Sequence, residues 1–256
     1  MNYRIGLKLW STNTGAYFQE AQRLYHHGIF DYIELYIVPN TLETLSLWEQ
    51  LEIPYIIHNP HSAQGFNLAD ENKRETNRIL YTQSKQFADV LNAEYIIFHS
   101  GKDGSIGETA FQLSTLKEPR ALIENLPVYP LPNSPFKHCR GATLEELLWV
   151  KKETNCGFCL DFGHAVCSTN ALGKEPITFI KELMTLDPQM FHLSDLKDTH
   201  SVYDSHAHLG TGTLDISVLK HKILPANARI SIETEKSFPQ SLQDFEEDVA
   251  YFRHLH

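Results

Sequence analysis

Apolar and polar positions along the chain fall into two alternating patterns. Short runs rich in β-branched and aromatic residues, YRIGLKLW, FDYIELYI, IPYIIH, AEYIIFH, RALIEN, GFCLDF, MFHLS and ARISIET, alternate with stretches of helical period or loop character. These runs read as buried strands, and buried strands separated by helices indicate an α/β fold with a parallel sheet. Eight such units in 256 residues predict a single (β/α)8 barrel domain over 1–256, since that fold needs about 250 residues. No stretch has the composition of an interdomain linker, and no internal repeat is present. Thr143 and Glu146 form a capping box before LLWV, which marks a helix start. A last helix over about 241–255 carries Leu242, Phe245, Val249 and Phe252 at helical spacing. Residues 126–141, LPVYPLPNSPFKHCRG, hold four prolines and are expected to form a long irregular loop after the fifth strand.

Polar residues interrupt this pattern at particular places. The third strand ends at His58, the fourth at His99, the fifth at Glu124 and the sixth at Asp161, with His164 three residues on. The seventh carries His192 and the eighth Glu233, while Asp204 and His206 lie in the loop after the seventh, within DSHAHLGTG. In a (β/α)8 barrel all strand ends open on one face, so these nine residues would converge on one mouth. Taken singly, each has an ordinary explanation: a strand-end His is commonly a hydrogen-bonded structural residue, and a strand-end Asp or Glu commonly caps the next helix. Taken together, buried carboxylates and imidazoles at six consecutive strand ends would be mutually costly without cations to pair them. Four carboxylates and five imidazoles suit zinc or a related divalent ion, with manganese or iron as further options. Nine ligands are too many for one ion and fit two or three. Asp204 and His206 are two apart, so an extended segment would turn them the same way, with Gly210 and Gly212 forming the turn that follows.

Composition narrows the classes further. The formal charge of −10 argues against a broad nucleic-acid footprint, though not against a local cationic site. No run approaches the ~18 apolar residues of a membrane span, and the N-terminus has no basic stretch leading into a hydrophobic signal core. A cytoplasmic monomer that does not engage membranes is expected. Cys139, Cys156, Cys159 and Cys167 are expected to be reduced thiols, because the one CxxC sits in a buried strand and has no second CxxC to build a zinc ribbon. No GxxxxGK[ST] phosphate loop and no Ser or Cys nucleophile stands out.

The stretches IIHNPHSAQGFNLADENKRE, IIFHSG, LIENLP, GFCLDFGHA, FHLSDLKD, DSHAHLGTG and SIETE resemble endonuclease IV. This is the family 2 apurinic/apyrimidinic endonucleases of the wider xylose-isomerase-like barrel superfamily, and the likeness runs nearly end to end. The resemblance implies three zinc ions. His58, His99 and Glu124 would hold the first. Glu124 would bridge to the second, which Asp161, His192 and Glu233 complete. His164, Asp204 and His206 would hold the third. It also implies phosphodiester hydrolysis at abasic DNA or a smaller phosphate ester, with Glu124 positioning the metal-activated hydroxide and the third ion offsetting charge on the leaving oxygen. Lys8, His61 and Lys197 are candidate substrate-binding residues. The chain departs from the family at several points. Residues 24–72 contain no Lys or Arg, where the family inserts Arg and aromatic side chains into DNA. His61 stands where the family tends to carry a Tyr, and Ser205 where it carries an Arg. Glu34 on the second strand is closer to the sugar isomerase branch, whose members hold one metal with residues matching Glu124, Asp161, His192 and Glu233. An isomerase or epimerase is therefore the alternative, separated from the hydrolase by the five further ligands. A non-catalytic metal-bound binding module is a third possibility.

Overall fold

The computed structural model describes residues 2–255. Eight parallel strands close in chain order into one barrel, β1 pairing with both β2 and β8. They are β1 (Arg4–Trp10), β2 (Tyr32–Tyr36), β3 (Tyr55–His58), β4 (Ile96–His99), β5 (Ala121–Glu124), β6 (Gly157–Asp161), β7 (Met190–Leu193) and β8 (Arg229–Ile232). The helices are α1 (Ala16–His26), α2 (Leu45–Trp48), α3 (Arg74–Val90), α4 (Ile106–Leu116), α5 (Leu144–Thr154), α6 (Phe162–Leu172), α7 (Pro176–Met184), α8 (Ile216–Val218) and α9 (Gln243–His254). The expected (β/α)8 barrel is therefore what the chain forms. The long connection after β5 is irregular, as its prolines require, and is stitched to the β4 loop by an antiparallel bridge between Lys102 and Cys139. Among the described residues no helix is long and apolar enough to cross a membrane.

The capping box is half as expected. Thr143 accepts the Glu146 N–H, but the Glu146 carboxylate turns to the N–H groups of Gly141 and Ala142 rather than to that of Thr143, closing the end of the proline-rich loop onto α5. The last helix buries Leu242, Phe245, Val249 and Phe252 as its period predicts. All four cysteines are buried and unpaired.

Strand alternation divides the interior. Outward residues such as Leu7, Ile33, Ile57, Phe98, Ile123, Leu160, Phe191 and Ile230 join the helices in the main core. Inward residues Tyr32, Ile56, Ile97, Leu122, Cys159 and Met190 form a separate cluster that plugs the barrel. Two residues further along the strands, side chains point inward again, one level higher. That next level is Glu34, His58, His99, Glu124, Asp161 and His192, with Lys8 and Glu233 following Gly6 and Ser231 by the same step. Register keeps neighbours level: His58 pairs with Tyr36, His99 with Glu124, and Asp161 with His192.

Gly6 is needed for this plug. The Tyr32 ring crosses the barrel to bond the Ser231 hydroxyl at 3.1 Å, and a Cβ on Gly6 would stand 2.4 Å from that ring. Gly6→Ala is expected to cost about 1–3 kcal/mol by overpacking, read by chemical denaturation. Gly107→Ala, in the first turn of α4, whose Cβ would meet nothing nearer than 3.9 Å, is the control and should not lower stability.

Candidate metal centre

The nine strand-end and loop residues meet at one mouth. Glu124 is at its centre and fully buried, with Oε2 3.2 Å from His58 Nε2 and 3.1 Å from His99 Nε2. Its Oε1 lies 3.2 Å from His164 Nδ1 and 3.4 Å from His192 Nδ1. Burial opposes the charge on Glu124, but His99 and His192 outweigh it and hold the carboxyl well below the usual carboxylate range. Asp161 serves two purposes: Oδ1 caps α6 by accepting the His164 N–H at 2.7 Å, while Oδ2 lies 3.7 Å from His164 Nδ1 and 3.9 Å from His192 Nδ1. Burial, with Asp204 and Glu124 nearby, raises Asp161 to about 6.

The backs of the histidines determine what their fronts can do. His58 Nδ1 bonds the Asn59 carbonyl at 2.8 Å, His164 Nδ1 the Asn125 carbonyl at 2.9 Å, and His206 Nδ1 the Glu233 carbonyl at 2.9 Å. A carbonyl can only accept, so these nitrogens carry the hydrogen and each Nε2 of a neutral ring is bare. His192 is reversed: Nε2 bonds the Glu34 carboxylate at 3.0 Å, and Nδ1 makes no hydrogen bond although Glu233 Oε1 is 2.9 Å away. Bare nitrogens thus face carboxylate oxygens, lone pair to lone pair, an arrangement that needs a proton or a cation between them. Histidine ligands to metals have this build, with the outer N–H given to a carbonyl or carboxylate. The spacing agrees, since donors about 2.1 Å from one tetrahedral ion stand about 3.4 Å apart. His58, His99 and Glu124 form one group of donor atoms within 4.8 Å of one another, His164, Asp204 and His206 a second, and Glu124, Asp161 and His164 a third.

DSHAHLGTG is organised by a residue outside it. Asp195, fully buried, accepts the N–H groups of Leu196, Gly210, Gly212 and Leu214, and it forms a two-way backbone bridge with Ala207. Asp204 and His206 do turn to one place, with Asp204 Oδ2 2.7 Å from His206 Nε2 and 3.5 Å from His164 Nε2. Plain extended alternation is not the cause. His206 has φ +40, a left-handed backbone that costs a non-glycine residue of order 1 kcal/mol, and its carbonyl is held by the Glu235 N–H at 3.1 Å.

Glu34, noted in the sequence only as an isomerase-like feature, orients His192 and is itself paired with Lys8 at 2.9 Å. Lys8 also contacts Glu233. Glu34, His192 and Glu233 have the spacing of a further cation site, but the Lys8 ammonium already serves as their cation. His61 lines the mouth, stacks on His99 with ring centroids 5.3 Å apart, and accepts the Ala63 N–H. Burial, with His99 and His58 beside it, lowers His61 to about 2, so the ring is neutral. Lys197 is exposed and is not among the residues lining the cavity. In the proline-rich loop Arg140 clamps the Asp103 and Gly104 carbonyls. A cavity of about 430 Å³ opens over the centre, walled also by Trp10, Asn13, Tyr17, Tyr36, Thr234, Glu235 and Lys236. The sequence reading missed Lys236, whose only signal was its place three residues past a strand-end Glu.

Fold and mouth together define a (β/α)8 barrel with a donor set suited to divalent metal ions. The chain belongs to the xylose isomerase-like TIM barrel family, whose profile matches residues 20–255. A curated relative in Mycobacterium leprae (strain Br4923), named probable endonuclease 4, is 28% identical over 211 residues, 78% of each chain. The resemblance to endonuclease IV read from the motifs is thereby borne out. Among solved structures, a D-tagatose 3-epimerase-like protein aligns with TM-score 0.72 at 21% identity, over 98% of this chain and 96% of that one. Endonuclease IV from Thermus thermophilus aligns with TM-score 0.68 at 20% identity, over 98% of this chain and 99% of that one. Both structural likenesses are of fold.

Asp195→Ala leaves four N–H groups without their acceptor and should free the segment 204–214. Limited proteolysis is expected to cut there in the variant while the intact chain resists, and the melting temperature should fall by several degrees.

Proposed function

We propose that this chain is a metal-dependent phosphodiester hydrolase resembling endonuclease IV, acting on abasic DNA or a smaller phosphate ester, in the cytoplasm. In this reading His58, His99 and Glu124 hold one ion. Glu124 is shared with a second, held also by Asp161, His192 and Glu233. His164, Asp204 and His206 hold a third, with zinc the favoured metal. The observation that carries it is the set of histidines whose outer nitrogens are bonded while their inner nitrogens face carboxylates. When bound, such ions supply an acidified water as nucleophile and offset charge on the phosphoryl oxygens. The protein's own part is positional. Main-chain carbonyls hold three imidazoles in one tautomer, Glu34 holds the fourth, and His192 together with Lys8 outweighs burial to keep Glu34 and Glu233 ionised. The neutral His61 ring covers His99 at the cavity wall.

A sugar isomerase or epimerase is the second reading. Its favouring observation is that three carboxylates, Glu124, Asp161 and Glu233, surround His192 Nδ1, a set sufficient for one ion. Elemental analysis of protein purified without added metal separates the two. Two or three ions per chain are expected, Glu124→Gln should lose the most, and His206→Ala should lose one. At most one ion, with a count indifferent to His206→Ala, would transfer the assignment to the isomerase. Activity is then read on an abasic oligonucleotide, a small phosphodiester and a panel of ketoses.

Protons compete for the same lone pairs, which sets a pH dependence. Burial opposes charge on His206, but Asp204 outweighs it and raises the ring to about 9, above its usual ~6.5. In metal-free protein this pairing stabilises the fold fully below about pH 6.5 and is lost as pH rises through about 9. Metal uptake displaces that proton and so strengthens over the same span. Melting of chelated and zinc-loaded protein from pH 6 to 9.5 should therefore show a gap that widens with pH.

A further inference from the structure

The segment leaving β8 carries a cation that none of the roles above uses. Thr234, Glu235 and Lys236 follow Glu233 along the cavity wall. The segment is pinned on both sides of the lysine: the Thr234 hydroxyl donates to Asp248 at 2.5 Å and the Ser237 N–H to Asp244 at 2.6 Å. Lys236 Nζ donates to the Thr234 carbonyl at 2.9 Å, and its ammonium lies 5.9 Å from the centre of the Phe245 ring. Among the described residues no carboxylate lies within 4 Å of it, whereas Lys8 on the same cavity is held by Glu34 and Glu233. A half-buried ammonium with two hydrogens unused by the protein and no carboxylate in contact is a ready partner for an anion entering the cavity. Burial lowers its pKa, against the opposing pull of Asp244, Asp248 and Glu233.

The neighbouring wall, built by β1 and α1 beside β8, bears on which anion fits. Trp10, half exposed at the end of β1, stands beside Asn13 and Tyr17. The Tyr17 hydroxyl donates to the Phe238 carbonyl at 2.7 Å, joining α1 to the segment that carries Lys236. A space of about 430 Å³ is at the small end of the ~300–1,000 Å³ of small-molecule sites. Duplex DNA is held through many phosphate contacts, and residues 24–72 offer no Lys or Arg to make them.

Resting on the phosphoesterase reading, we propose that Lys236 is a substrate-binding residue whose ammonium takes a phosphate oxygen of a small single-ring phosphate ester, the ring lying against Trp10. The test is calorimetric titration of inorganic phosphate into the protein as purified, with and without prior chelation, for the intact chain and for Lys236→Met and Lys236→Arg. Loss of one charge-assisted hydrogen bond should weaken phosphate about tenfold or more in Lys236→Met, while Lys236→Arg stays within about threefold. Lys236→Gln serves as a second neutral variant should Met crowd Phe245. Phosphate binding in Lys236→Met and Lys236→Gln within about twofold of the intact chain would overturn the assignment. If chelation abolishes binding while those variants bind normally, Lys236 fails and the metal reading stands. If the variants lose binding and chelation changes nothing, Lys236 stands and the metal reading fails. A short abasic duplex should not displace phosphate, and displacement at micromolar duplex would overturn the small-ester half of the proposal.

Discussion

The mouth is built around a carboxylate that water does not reach. Glu124 has four imidazoles within 3.4 Å, and an ionised group so buried needs cations or hydrogen-bond donors around it. Everything nearby follows from satisfying that charge. The histidines must come from β3, β4, α6 and β7, on both sides of β5, because no one strand can supply two at the same level. Three of these rings are held from behind, His58 and His164 by main-chain carbonyls and His192 by Glu34, which fixes how each faces the mouth. Lys8 and Glu34 extend the same logic one step further, pairing opposite charges where the donor set would otherwise carry surplus negative charge.

Much of this was legible along the chain because barrel strands impose a period of two. Once eight buried runs are recognised, His58, His99, Glu124 and Asp161 fall at strand ends and must share a face, and His192 belongs with them. The boundaries of β1 to β8 lie inside the runs read from the sequence. What was not legible depended on contacts between remote residues or on backbone detail. Glu34 and His192 are 158 positions apart, and only the closed barrel brings them opposite. The left-handed turn at His206 has no local signature, since His is no turn former. The role of Asp195 depends on four N–H groups that converge only after the loop has folded. Lys197 shows the converse case: proximity in sequence to a motif did not bring its side chain to the cavity.

The locking of the rings is itself economical in sequence. Three of the four anchors are main-chain carbonyls, those of Asn59, Asn125 and Glu233. Each belongs to the residue just past a strand end, where the chain leaves the ladder and its carbonyl is released from sheet pairing. Any residue at 59 or 125 would present the same oxygen, so the tautomers of His58 and His164 come from the fold. His192 sits inside its strand, where main-chain groups are already paired, and there a side chain, Glu34, has to do the same work.

The stacking of an acidic and basic layer on an apolar plug, two residues apart on each strand, also determines how such a chain can change over generations. Loops can lengthen, shorten or exchange residues without touching either layer, so specificity can drift at the rim. Inserting or deleting a single residue within β5 is different. It would turn Glu124 outward into the helices and bring an apolar neighbour into the mouth, exchanging core and site in one event. The reading frame of each strand is therefore inherited as a unit, and variation in this protein's lineage should be sought in its loops.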